Sequence, residues 1–585
     1  MSHANTEPGE ASDDANAPIP AKEALLRQLV RDKMDVIFGN PGTVEEGFLA
    51  ALSHHPEIRY IFGLQESVVA GMADGYARVT HRPAVVQVHS AVGLGNAMAM
   101  LYQAHRSFTP MVVFAGEVDT RLQAFDGFLG GDLTEIARPV TKWSVRVLHG
   151  PQLLRMWRRA VKVAMTPPQG PVFLALPMSV LDEVVEPDVH ETSAVNWHVT
   201  PPAAAVEAIA KALVDTSNPL ILIGDNVALA GAQGEVRQLS ELVGAPVYGV
   251  DFGDLSASFK DPLFLGLVGH GFGEQTRAIT REATAVLAVG TPLFPELFPS
   301  LKPYFRDDAR LFQIDLNPWE IAKNYAVELG LLADPKAALQ EITQAVLRLS
   351  TPEFQQKARG GRQRWSAHKR AQRAARQQAF DAVWDRSPMS ASRMAEVVVA
   401  CLPGNALVYD EAITSSDELL HYLEPSAADS YFLGRGGCLG VGWPGAIGAK
   451  LARPDRPVLA LSGDGSALYI IQALWTAARE KLDIVFLVCN NRSYRILKVN
   501  LLHYWAERQE CPGPFPFMDL TPEVRFDKVA EGFGVPGCTV VDAESLRAAL
   551  ESAFSSGGPH LIDVLIDGSV SEEVRMVIRS HSGCA

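Results

Sequence analysis

Short apolar runs alternate with longer amphipathic segments along most of the chain after residue 20. The run 36–38 predicts a buried strand, whereas the segments 22–31 and 44–52 carry apolar residues at helical spacing. The same alternation begins again after Pro201-Pro202 and a third time near Ser390. Strands that alternate with helices in this way are typical of parallel sheets covered on both faces. The expected fold class is therefore α/β, with three doubly wound parallel-sheet domains.

The expected domain boundaries follow from shifts in composition. The basic stretch 351–390 predicts a solvated linker helix rather than a nucleic-acid arm, because the protein as a whole is acidic. The first twenty residues lack the basic and apolar regions of a signal peptide. In chain order we expect a disordered tail at 1–20, an N-terminal domain at 21–195, a central domain at 200–349, a linker at 350–389, a C-terminal domain at 390–570 and a tail at 571–585.

Composition narrows the class of protein. The 585 residues carry a net charge of −15, which argues against nucleic acid or an anionic membrane as a partner. No apolar run is long enough to cross a bilayer. The six cysteines have no Cys-x-x-Cys spacing and no paired arrangement, so we expect them to be reduced and the protein to be cytoplasmic.

Two polar motifs in the last third of the chain follow consecutive predicted strands. Gly463-Asp464-Gly465-Ser466 follows the apolar run 457–461, and Asn490-Asn491 follows the run 483–489. Between them, 467–481 carries apolar residues at helical spacing and predicts one helix. Because neighbouring parallel strands end at the same edge of a sheet, we expect both motifs to face one crevice.

The residue types at this crevice suit a divalent cation and a phosphate. A hard ion such as Mg2+ prefers oxygen ligands, which Asp464, Asn491 and the backbone carbonyl of Ser493 can supply. The glycines on either side of the aspartate allow the backbone to approach a diphosphate, and the start of the following helix favours an anion. A Gly-Asp-Gly turn alone is common, so the pairing of the two motifs is what indicates a cofactor site.

A second candidate half-site lies in the N-terminal domain. Glu66 follows the apolar run 60–62 and opens a predicted helix rich in small residues, among them Ala70, Gly71 and Ala73. A glutamate at a helix start is ordinarily a partner of the helix dipole. The small residues, however, predict close packing against another backbone. Glu66 is therefore either a helix-terminal charge or a functional group.

These motifs and several other segments carry a resemblance to a known superfamily. The other segments are 38–43, 64–66, 89–97, 168–171 and 473–478. The chain resembles the decarboxylase and acetohydroxyacid-synthase superfamily of thiamine-diphosphate (ThDP) enzymes, and within it is most similar to the benzoylformate decarboxylases. The resemblance covers nearly the whole length after residue 20. It implies a pyrimidine-binding N-terminal domain, a central Rossmann-like domain and a C-terminal domain that binds diphosphate and Mg2+.

The resemblance also implies a role for each matching residue. Glu66 matches the glutamate that hydrogen-bonds N1′ of the cofactor's aminopyrimidine. His89 matches a proton-shuttling histidine, and Thr43 a hydroxyl that contacts the substrate carboxylate. Leu439 matches the bulky residue that wedges the cofactor into a V shape. The Mg2+ ligands match Asp464, Asn491 and Ser493, and the other cofactor-binding positions match Asn40, Pro41, Gly42, Thr414, Gly463, Gly465, Ser466 and Tyr494.

The chain departs from the benzoylformate decarboxylase pattern around the substrate. The family's second active-site histidine aligns near Leu297, and the nearest alternative is His270. The run 492–500 brings three cations after the metal loop, which indicates either an anionic substrate extension or merely a different surface loop. Glycines in 125–131 indicate room in a pocket wall, or mobility of that wall.

Two further motifs have competing interpretations. The loop 434–440 resembles a dinucleotide-binding loop, but we expect no suitable strand before it and interpret it as the loop over the cofactor. In the central domain, 313–318 is a candidate part of a nucleotide pocket, since some relatives hold FAD or the ADP part of coenzyme A (CoA) there. An empty Rossmann-like domain is the favoured interpretation.

The reaction that the resemblance implies is ThDP- and Mg2+-dependent carbon–carbon cleavage, in which a 2-oxo acid releases CO2 and an aldehyde. The alternatives are an acetolactate-synthase-like carboligase, a 2-hydroxyacyl-CoA lyase and a non-catalytic relative. The basic run and the tail 575–585 leave the CoA alternative open, whereas the intact Glu66 and metal ligands count against a non-catalytic protein. In this superfamily the glutamate domain of one subunit faces the diphosphate domain of another, so we expect a homodimer or a dimer of dimers.

Overall fold

A computed structural model describes residues 17–250, 252–268, 274–294, 303–508 and 510–570. Within these ranges the chain forms three six-stranded sheets in which every strand pair is parallel. Successive strand residues belong to different apolar clusters, as Val85 and Val86 do, so each sheet buries both faces. The predicted fold class, with three doubly wound domains, is confirmed.

The N-terminal sheet is preceded and followed by the strands of a short antiparallel pair. The strands are β1 (Ile19–Pro20), β2 (Val36–Gly39), β3 (Arg59–Phe62), β4 (Ala84–Val88), β5 (Met111–Glu117), β6 (Trp143–Arg146), β7 (Pro171–Pro177) and β8 (Val184–Val185). The helices are α1 (Ala21–Arg31), α2 (Glu46–Leu52), α3 (Glu66–Thr80), α4 (Ser90–Arg106), α5 (Leu133–Ala137), α6 (Leu153–Met165) and α7 (Met178–Asp182). The sheet order is β3-β2-β4-β5-β7-β6, and β1 pairs with β8.

The central domain is a second sheet of the same kind, and a long helix leads out of it. Its strands are β9 (Pro219–Ile223), β10 (Val247–Gly249), β11 (Phe264–Leu267), β12 (Ala285–Val289), β13 (Arg310–Asp315) and β14 (Leu329–Leu332), in the order β11-β10-β9-β12-β13-β14. The helices are α8 (Ala203–Asp215), α9 (Asp225–Leu229), α10 (Gln233–Val243), α11 (Glu274–Thr280) and α12 (Pro335–Leu349). The basic linker forms one exposed 30-residue helix, α13 (Pro352–Asp381).

The C-terminal sheet carries the paired polar motifs. Its strands are β15 (Leu407–Glu411), β16 (Tyr431–Leu433), β17 (Val458–Gly463), β18 (Ile484–Asn490), β19 (Gly537–Val540) and β20 (His560–Leu565), in the order β16-β15-β17-β18-β20-β19. The helices are α14 (Ala391–Cys401), α15 (Ser416–Leu423), α16 (Gly442–Ala452), α17 (Asp464–Ala467), α18 (Ala473–Arg479), α19 (Arg495–Glu507), α20 (Phe526–Gly532) and α21 (Ala543–Ser556).

Helix α3, which begins at Glu66, touches the backbone of α16 in the C-terminal domain. A Cβ atom on Gly75 would lie 1.9 Å from the carbonyl oxygen of Gly445, and one on Gly448 would lie 1.9 Å from that of Met72. Only glycine permits so close an approach of two helices. The prediction that small residues on this helix pack against another backbone is therefore confirmed.

Arg78, near the end of α3, joins all three domains. Its buried guanidinium donates to Asp254 at 2.6 Å and to the carbonyl oxygen of Gly253, both in the central domain. It also donates to the Tyr409 hydroxyl at 3.0 Å and to the Leu433 carbonyl oxygen at 3.2 Å, both in the C-terminal domain. Because a buried charge held in this way is costly to disturb, Arg78 fixes α3 relative to both neighbouring domains.

Three sequence predictions differ from the structure. The helix predicted over 467–481 is present but shorter, as α18 (Ala473–Arg479), because residues 468–472 form turns after α17, and Tyr469 and Ile470 of these turns lie against Gly440. The loop 434–440 does follow a strand, the three-residue edge strand β16, which is too short for a periodic signal. Cys511 is disulfide-bonded, which sequence spacing does not reveal and which weakens the cysteine argument for a reducing compartment. No helix of the described ranges is long and apolar enough to cross a membrane.

Candidate active site

Strands β17 and β18 bring the two C-terminal motifs to the same edge of the sheet. The two strands pair in parallel register, with Gly463 opposite Cys489. Asp464 therefore follows the end of one strand beside the point where Asn491 follows the end of the other. Buried strands that end together in this way form the crevice in which parallel sheets bind ligands.

Asp464 presents one carboxylate oxygen that has no partner among the described residues. Its Oδ1 accepts from the backbone N–H of Gly465 at 2.8 Å, whereas its buried Oδ2 makes no hydrogen bond. Burial raises the pKa of Asp464 to about 6, and the N–H groups of Gly465, Arg492 and Ser493 oppose that rise. A buried carboxylate oxygen without a partner is costly unless a cation or donor reaches it.

Asn491 and Ser493 complete an oxygen-rich site around Asp464. The Asn491 Oδ1 accepts from the Ser493 backbone N–H at 2.9 Å and from its hydroxyl at 3.2 Å, which fixes the amide orientation. The Ser493 carbonyl oxygen accepts from the Arg495 N–H at 2.9 Å and keeps a second lone pair. One carboxylate, one amide and one carbonyl form the hard oxygen set that Mg2+ prefers, so the residues present fit this ion.

The predicted diphosphate-binding residues lie close to this oxygen set. A Cβ atom on Gly465 would lie 2.5 Å from the ring of Tyr494, so any larger residue at this position would have to displace that ring. Ser466 is buried at the start of the short helix α17, and Thr414 lies in the turn that follows β15. Ser466 and Thr414 thus follow the neighbouring strands β17 and β15. The glycines on either side of Asp464 leave backbone N–H groups accessible to a phosphate group.

Glu411 is a buried carboxylate that the sequence reasoning missed. It accepts from the backbone N–H of Gly440 at 2.6 Å and from that of Gly442 at 2.9 Å. Burial raises the pKa of Glu411 to about 7, and the N–H groups of the loop oppose the rise. Glu411 thereby fixes the turn 440–442, which directly follows Leu439, the residue predicted to wedge the cofactor into its bent form. The only sequence signal was an acidic residue at the end of an apolar strand.

Glu66 lies at the first position of α3 and is buried. The Gln65 side chain accepts from the N–H groups of Ser67 and Val68 and caps the helix, so Glu66 is not needed as the cap. The amide of Asn96, on α4, donates to Glu66 Oε2 at 3.0 Å. Since another residue satisfies the helix end, the interpretation of Glu66 as a mere helix-terminal charge is less favoured.

His89 forms a hydrogen-bonded pair with Glu45, a second residue that the sequence reasoning missed. Its Nδ1 lies 2.8 Å from Oε2 of Glu45, whose other oxygen accepts from the Gly116 N–H at 2.7 Å. Burial raises the pKa of Glu45, and the contact with His89 opposes that rise. Because the carboxylate occupies Nδ1, the other ring nitrogen, Nε2, is the one left for a substrate proton.

Replacing Glu45 by glutamine should lower kcat/KM by about tenfold while the protein stays folded. An amide can donate as well as accept, so it no longer selects the tautomer with hydrogen on Nδ1. Steady-state kinetics and a thermal melt measure the two effects. The exposed neighbour Glu46 provides the control, since Glu46→Gln should leave both unchanged. Equal kinetics for the two variants would contradict a role for Glu45.

The loop 40–43 lies beside His89. A Cβ atom on Gly42 would lie 1.9 Å from His89 Nδ1, so the backbone passes directly over the imidazole. Asn40 donates to the Gly63 carbonyl oxygen at 2.9 Å, whereas Pro41 and Thr43 are exposed. Among the described residues, no hydrogen bond or ion pair joins Glu66 or His89 to the oxygen set around Asp464. The chain thus carries two separate half-sites.

Two cations of the run 492–500, which distinguishes this chain from the benzoylformate decarboxylase pattern, already have partners within the chain. Lys498 is paired with Asp519 at 2.6 Å, and Arg495 donates to the Ser569 carbonyl oxygen at 3.2 Å. The candidate pocket wall exposes 78% of Phe125 and 92% of Phe128. The predicted second-histidine position Leu297, its alternative His270 and the tail 575–585 lie outside the described residues.

The comparisons with known proteins agree with this arrangement. Residues 20–137, 206–342 and 414–564 match the N-terminal thiamine pyrophosphate (TPP) binding domain, the central domain and the C-terminal TPP binding domain of thiamine pyrophosphate enzymes. These three matches are in chain order, and each falls within one of the three sheet domains.

The chain belongs to the thiamine pyrophosphate enzyme family.

Relatives of two kinds are similar over almost the whole chain. A Mycobacterium tuberculosis protein that bears the name of an acetolactate synthase large subunit, IlvX, is 30% identical over 94% of this chain and 99% of its own. Benzoylformate decarboxylase of Pseudomonas aeruginosa is 29% identical over 92% of this chain and 97% of its own. The structure of the ThDP-dependent 4-hydroxybenzoylformate decarboxylase of Rhodococcus jostii RHA1 superposes with a TM-score of 0.81, at 27% identity, over 94% of this chain and 100% of that one.

Membership of the thiamine pyrophosphate enzyme family accounts for the two half-sites. The half-site with Glu66 and His89 lies in the N-terminal TPP binding domain, and the half-site with Asp464 and Asn491 lies in the C-terminal one. The protein is therefore a ThDP-dependent enzyme by family. The two kinds of relatives differ in the reaction that their names describe, so the reaction itself needs a separate argument.

Proposed function

We propose that this enzyme is a ThDP- and Mg2+-dependent carbon–carbon lyase that decarboxylates a 2-oxo acid and releases an aldehyde, as benzoylformate decarboxylases do. The observation that carries the proposal is the buried Oδ2 of Asp464, which has no hydrogen-bond partner in the described part of the chain and belongs to an oxygen set that fits Mg2+. The likeness to two benzoylformate decarboxylases along nearly the full chain supports the reaction class.

In this proposal the chain's own residues bind, orient and move protons. Asp464, Asn491 and Ser493 hold Mg2+, and Gly463, Gly465, Ser466, Thr414 and Tyr494 surround the diphosphate. Bound ThDP supplies a nucleophilic carbon and an acceptor for the electron pair that remains when CO2 departs. Glu66 exchanges a proton with the aminopyrimidine through its carboxylate. Leu439, on the loop that Glu411 holds, would pack against the bound cofactor.

His89 and Thr43 serve the substrate in this proposal. Nε2 of His89 delivers the proton that replaces CO2, and Glu45 keeps the imidazole in the required tautomer. The exposed Thr43 hydroxyl donates to the substrate carboxylate. The balance is one 2-oxo acid to one aldehyde and one CO2, with a proton taken up where the carboxylate leaves.

An acetolactate-synthase-like carboligase is the second candidate, because a relative of that name is 30% identical to this chain. Such an enzyme would pass the decarboxylated fragment to a second carbonyl compound instead of a proton. The 2-hydroxyacyl-CoA lyase alternative receives less support, because Lys498 of the basic run is paired with Asp519 within the chain.

We also propose a homodimer, or a dimer of dimers, in which each site forms between subunits. The N-terminal half-site exposes apolar side chains around Glu66, including Leu64, Val92 and Tyr102. The C-terminal half-site exposes Leu468 and Tyr469 close to Asp464. Apolar surfaces beside two incomplete half-sites suit burial against a second copy of the chain.

The central domain is proposed to hold no nucleotide. The turn after β9, where sheets of this kind bind phosphates, carries Asp225, whose carboxylate accepts from the Gly253 N–H at 2.7 Å and pairs with Arg435 at 2.5 Å. A buried, ion-paired carboxylate thus stands at the strand end where a phosphate would bind. The buried Asp315, whose pKa burial raises to about 7, is tied to Asn226 at 2.9 Å.

A substrate screen tests the reaction. The holoenzyme is incubated separately with benzoylformate, pyruvate and a 2-hydroxyacyl-CoA, and CO2, aldehydes, ligation products and formyl-CoA are quantified. We expect CO2 and an equimolar aldehyde from an aromatic 2-oxo acid. A stoichiometric ligation product from pyruvate would instead identify the carboligase, and release of formyl-CoA would identify the acyl-CoA lyase.

A further inference from the structure

Helix α4 forms a seat for the carboxylate of Glu66 through two residues one turn apart. The Asn96 amide donates to Oε2 at 3.0 Å. On the other side, a Cβ atom on Gly93 would lie 2.6 Å from Oε1, so the missing side chain makes the room that Oε1 occupies. One oxygen therefore has a fixed donor, and the other lies against a bare stretch of helix.

The chemistry of this contact distinguishes the two oxygens. The Nδ2 group of an asparagine can only donate, so Oε2 is an acceptor whether Glu66 is ionised or neutral. When Glu66 is neutral, the Asn96 donor favours the hydrogen on Oε1, because the carbonyl oxygen of a carboxylic acid is a better acceptor than its hydroxyl oxygen and Asn96 donates to Oε2. The two carboxylate oxygens are therefore not interchangeable in a reaction that moves a proton through Glu66.

We propose that Asn96 is a positioning residue that confines the exchangeable proton of Glu66 to Oε1. The assignment rests on the proposed role of Glu66 as the group that exchanges a proton with the cofactor. The competing structural explanation is that Asn96 only fixes α4 to α3. Asn96 is largely exposed, and among the described residues its side chain makes this one hydrogen bond, so its replacement leaves the core intact.

A second contact between the same helices provides a matched control. The Ser67 hydroxyl donates to the Asn96 backbone carbonyl oxygen, and this bond ties α3 to α4 without touching Glu66. Ser67→Ala removes the tie but keeps the donor on Oε2. For Oε1, Gly93→Ala is the test and Gly95→Ala is its control, because a Cβ atom on Gly95 would have no neighbour within 4 Å.

The experiment measures hydrogen–deuterium exchange at C2 of bound ThDP, with MgCl2 present, by acid quench and proton NMR. Asn96→Ala should slow exchange by about tenfold, and Asn96→Asp by about 100-fold, since a second carboxylate shares the proton of Glu66 at Oε2. Gly93→Ala should slow exchange by about tenfold as well. Ser67→Ala and Gly95→Ala should stay within about threefold of the wild type, far below the roughly 100- to 10,000-fold that general acid–base catalysis contributes.

Cofactor binding and thermal melting of each variant are measured beside exchange. The ThDP dissociation constant of Asn96→Ala, from tryptophan fluorescence, should stay within about threefold, because the residue positions a proton rather than the cofactor. Equal slowing in Asn96→Ala and Ser67→Ala would overturn the proposal in favour of helix geometry alone, as would wild-type exchange in Asn96→Asp. Glu66→Gln distinguishes failure of this inference from failure of the proposed function. If Glu66→Gln is inactive in exchange, wild-type exchange in the Asn96 variants refutes only this inference. If Glu66→Gln itself exchanges at the wild-type rate, the proposed function is refuted as well.

Discussion

Glu66→Gln should abolish turnover while ThDP and Mg2+ remain bound. Glutamine has the shape of glutamate and can still accept from Asn96, so α3 and its contacts with α16 are retained. It cannot take up or release a proton, and general acid–base catalysis of this kind contributes about 100- to 10,000-fold to a rate. We therefore expect kcat to fall by about 1,000-fold or more.

Two measurements and a control variant separate this chemical loss from a structural one. The dissociation constant of ThDP should change by less than about tenfold, because the diphosphate and Mg2+ supply most of the binding. The melting temperature should stay within a few degrees. Glu46→Gln, at the exposed start of α2, is the control for removing a glutamate from the first turn of a helix. Undiminished turnover in Glu66→Gln would refute the proposed mechanism.

Asp464→Ala should remove Mg2+-dependent cofactor binding without unfolding the protein. Asp464 is the one charged member of the oxygen set, and loss of groups that merely support a metal ligand already costs about 10- to 100-fold in metal affinity. We expect loss of at least about 100-fold for the ligand itself. Since its buried Oδ2 has no partner in the described part of the chain, removing the carboxylate should leave the apo protein at least as stable.

Thermal melts with and without ligands provide the test of Asp464. Mg2+ and ThDP together should raise the melting temperature of the wild type, because a ligand that binds only the folded state stabilises it. The same addition should not shift Asp464→Ala. Asp455→Asn is the control, because Asp455 is an exposed carboxylate of the same domain, paired with Arg453 at 3.0 Å. A full ligand-induced shift in Asp464→Ala would place the metal elsewhere.

Local pattern predicted the strands, most helices and the two motifs, because each depends on neighbours within a few residues. Asp464 and Asn491 could be assigned to one edge since consecutive parallel strands end together. The helix predicted at 467–481 begins only at Ala473, because residues 468–472 form turns that pack against the loop at Gly440, a contact with no local signal. The strand before that loop was missed because an edge strand of three residues carries no period.

The residues that support the half-sites could not be predicted, because their partners are distant in sequence. Glu45 and His89 are 44 residues apart, and Glu411 is 29 residues from Gly440. Asn96 reaches Glu66 across 30 residues, from a segment that the sequence analysis singled out only for its resemblance to the superfamily. Each pair meets because parallel strands deliver their following turns to one edge of a sheet.

The sequence by itself therefore determined the fold class, the thiamine-diphosphate resemblance and the chemical types at each half-site. The tertiary structure decided which atoms are available: Oδ2 of Asp464 is unpartnered within the described chain, Lys498 is committed to Asp519, and the two oxygens of Glu66 are distinct. The physical reason is that residue type sets what a group can donate or accept, whereas packing sets which of those capacities are already satisfied.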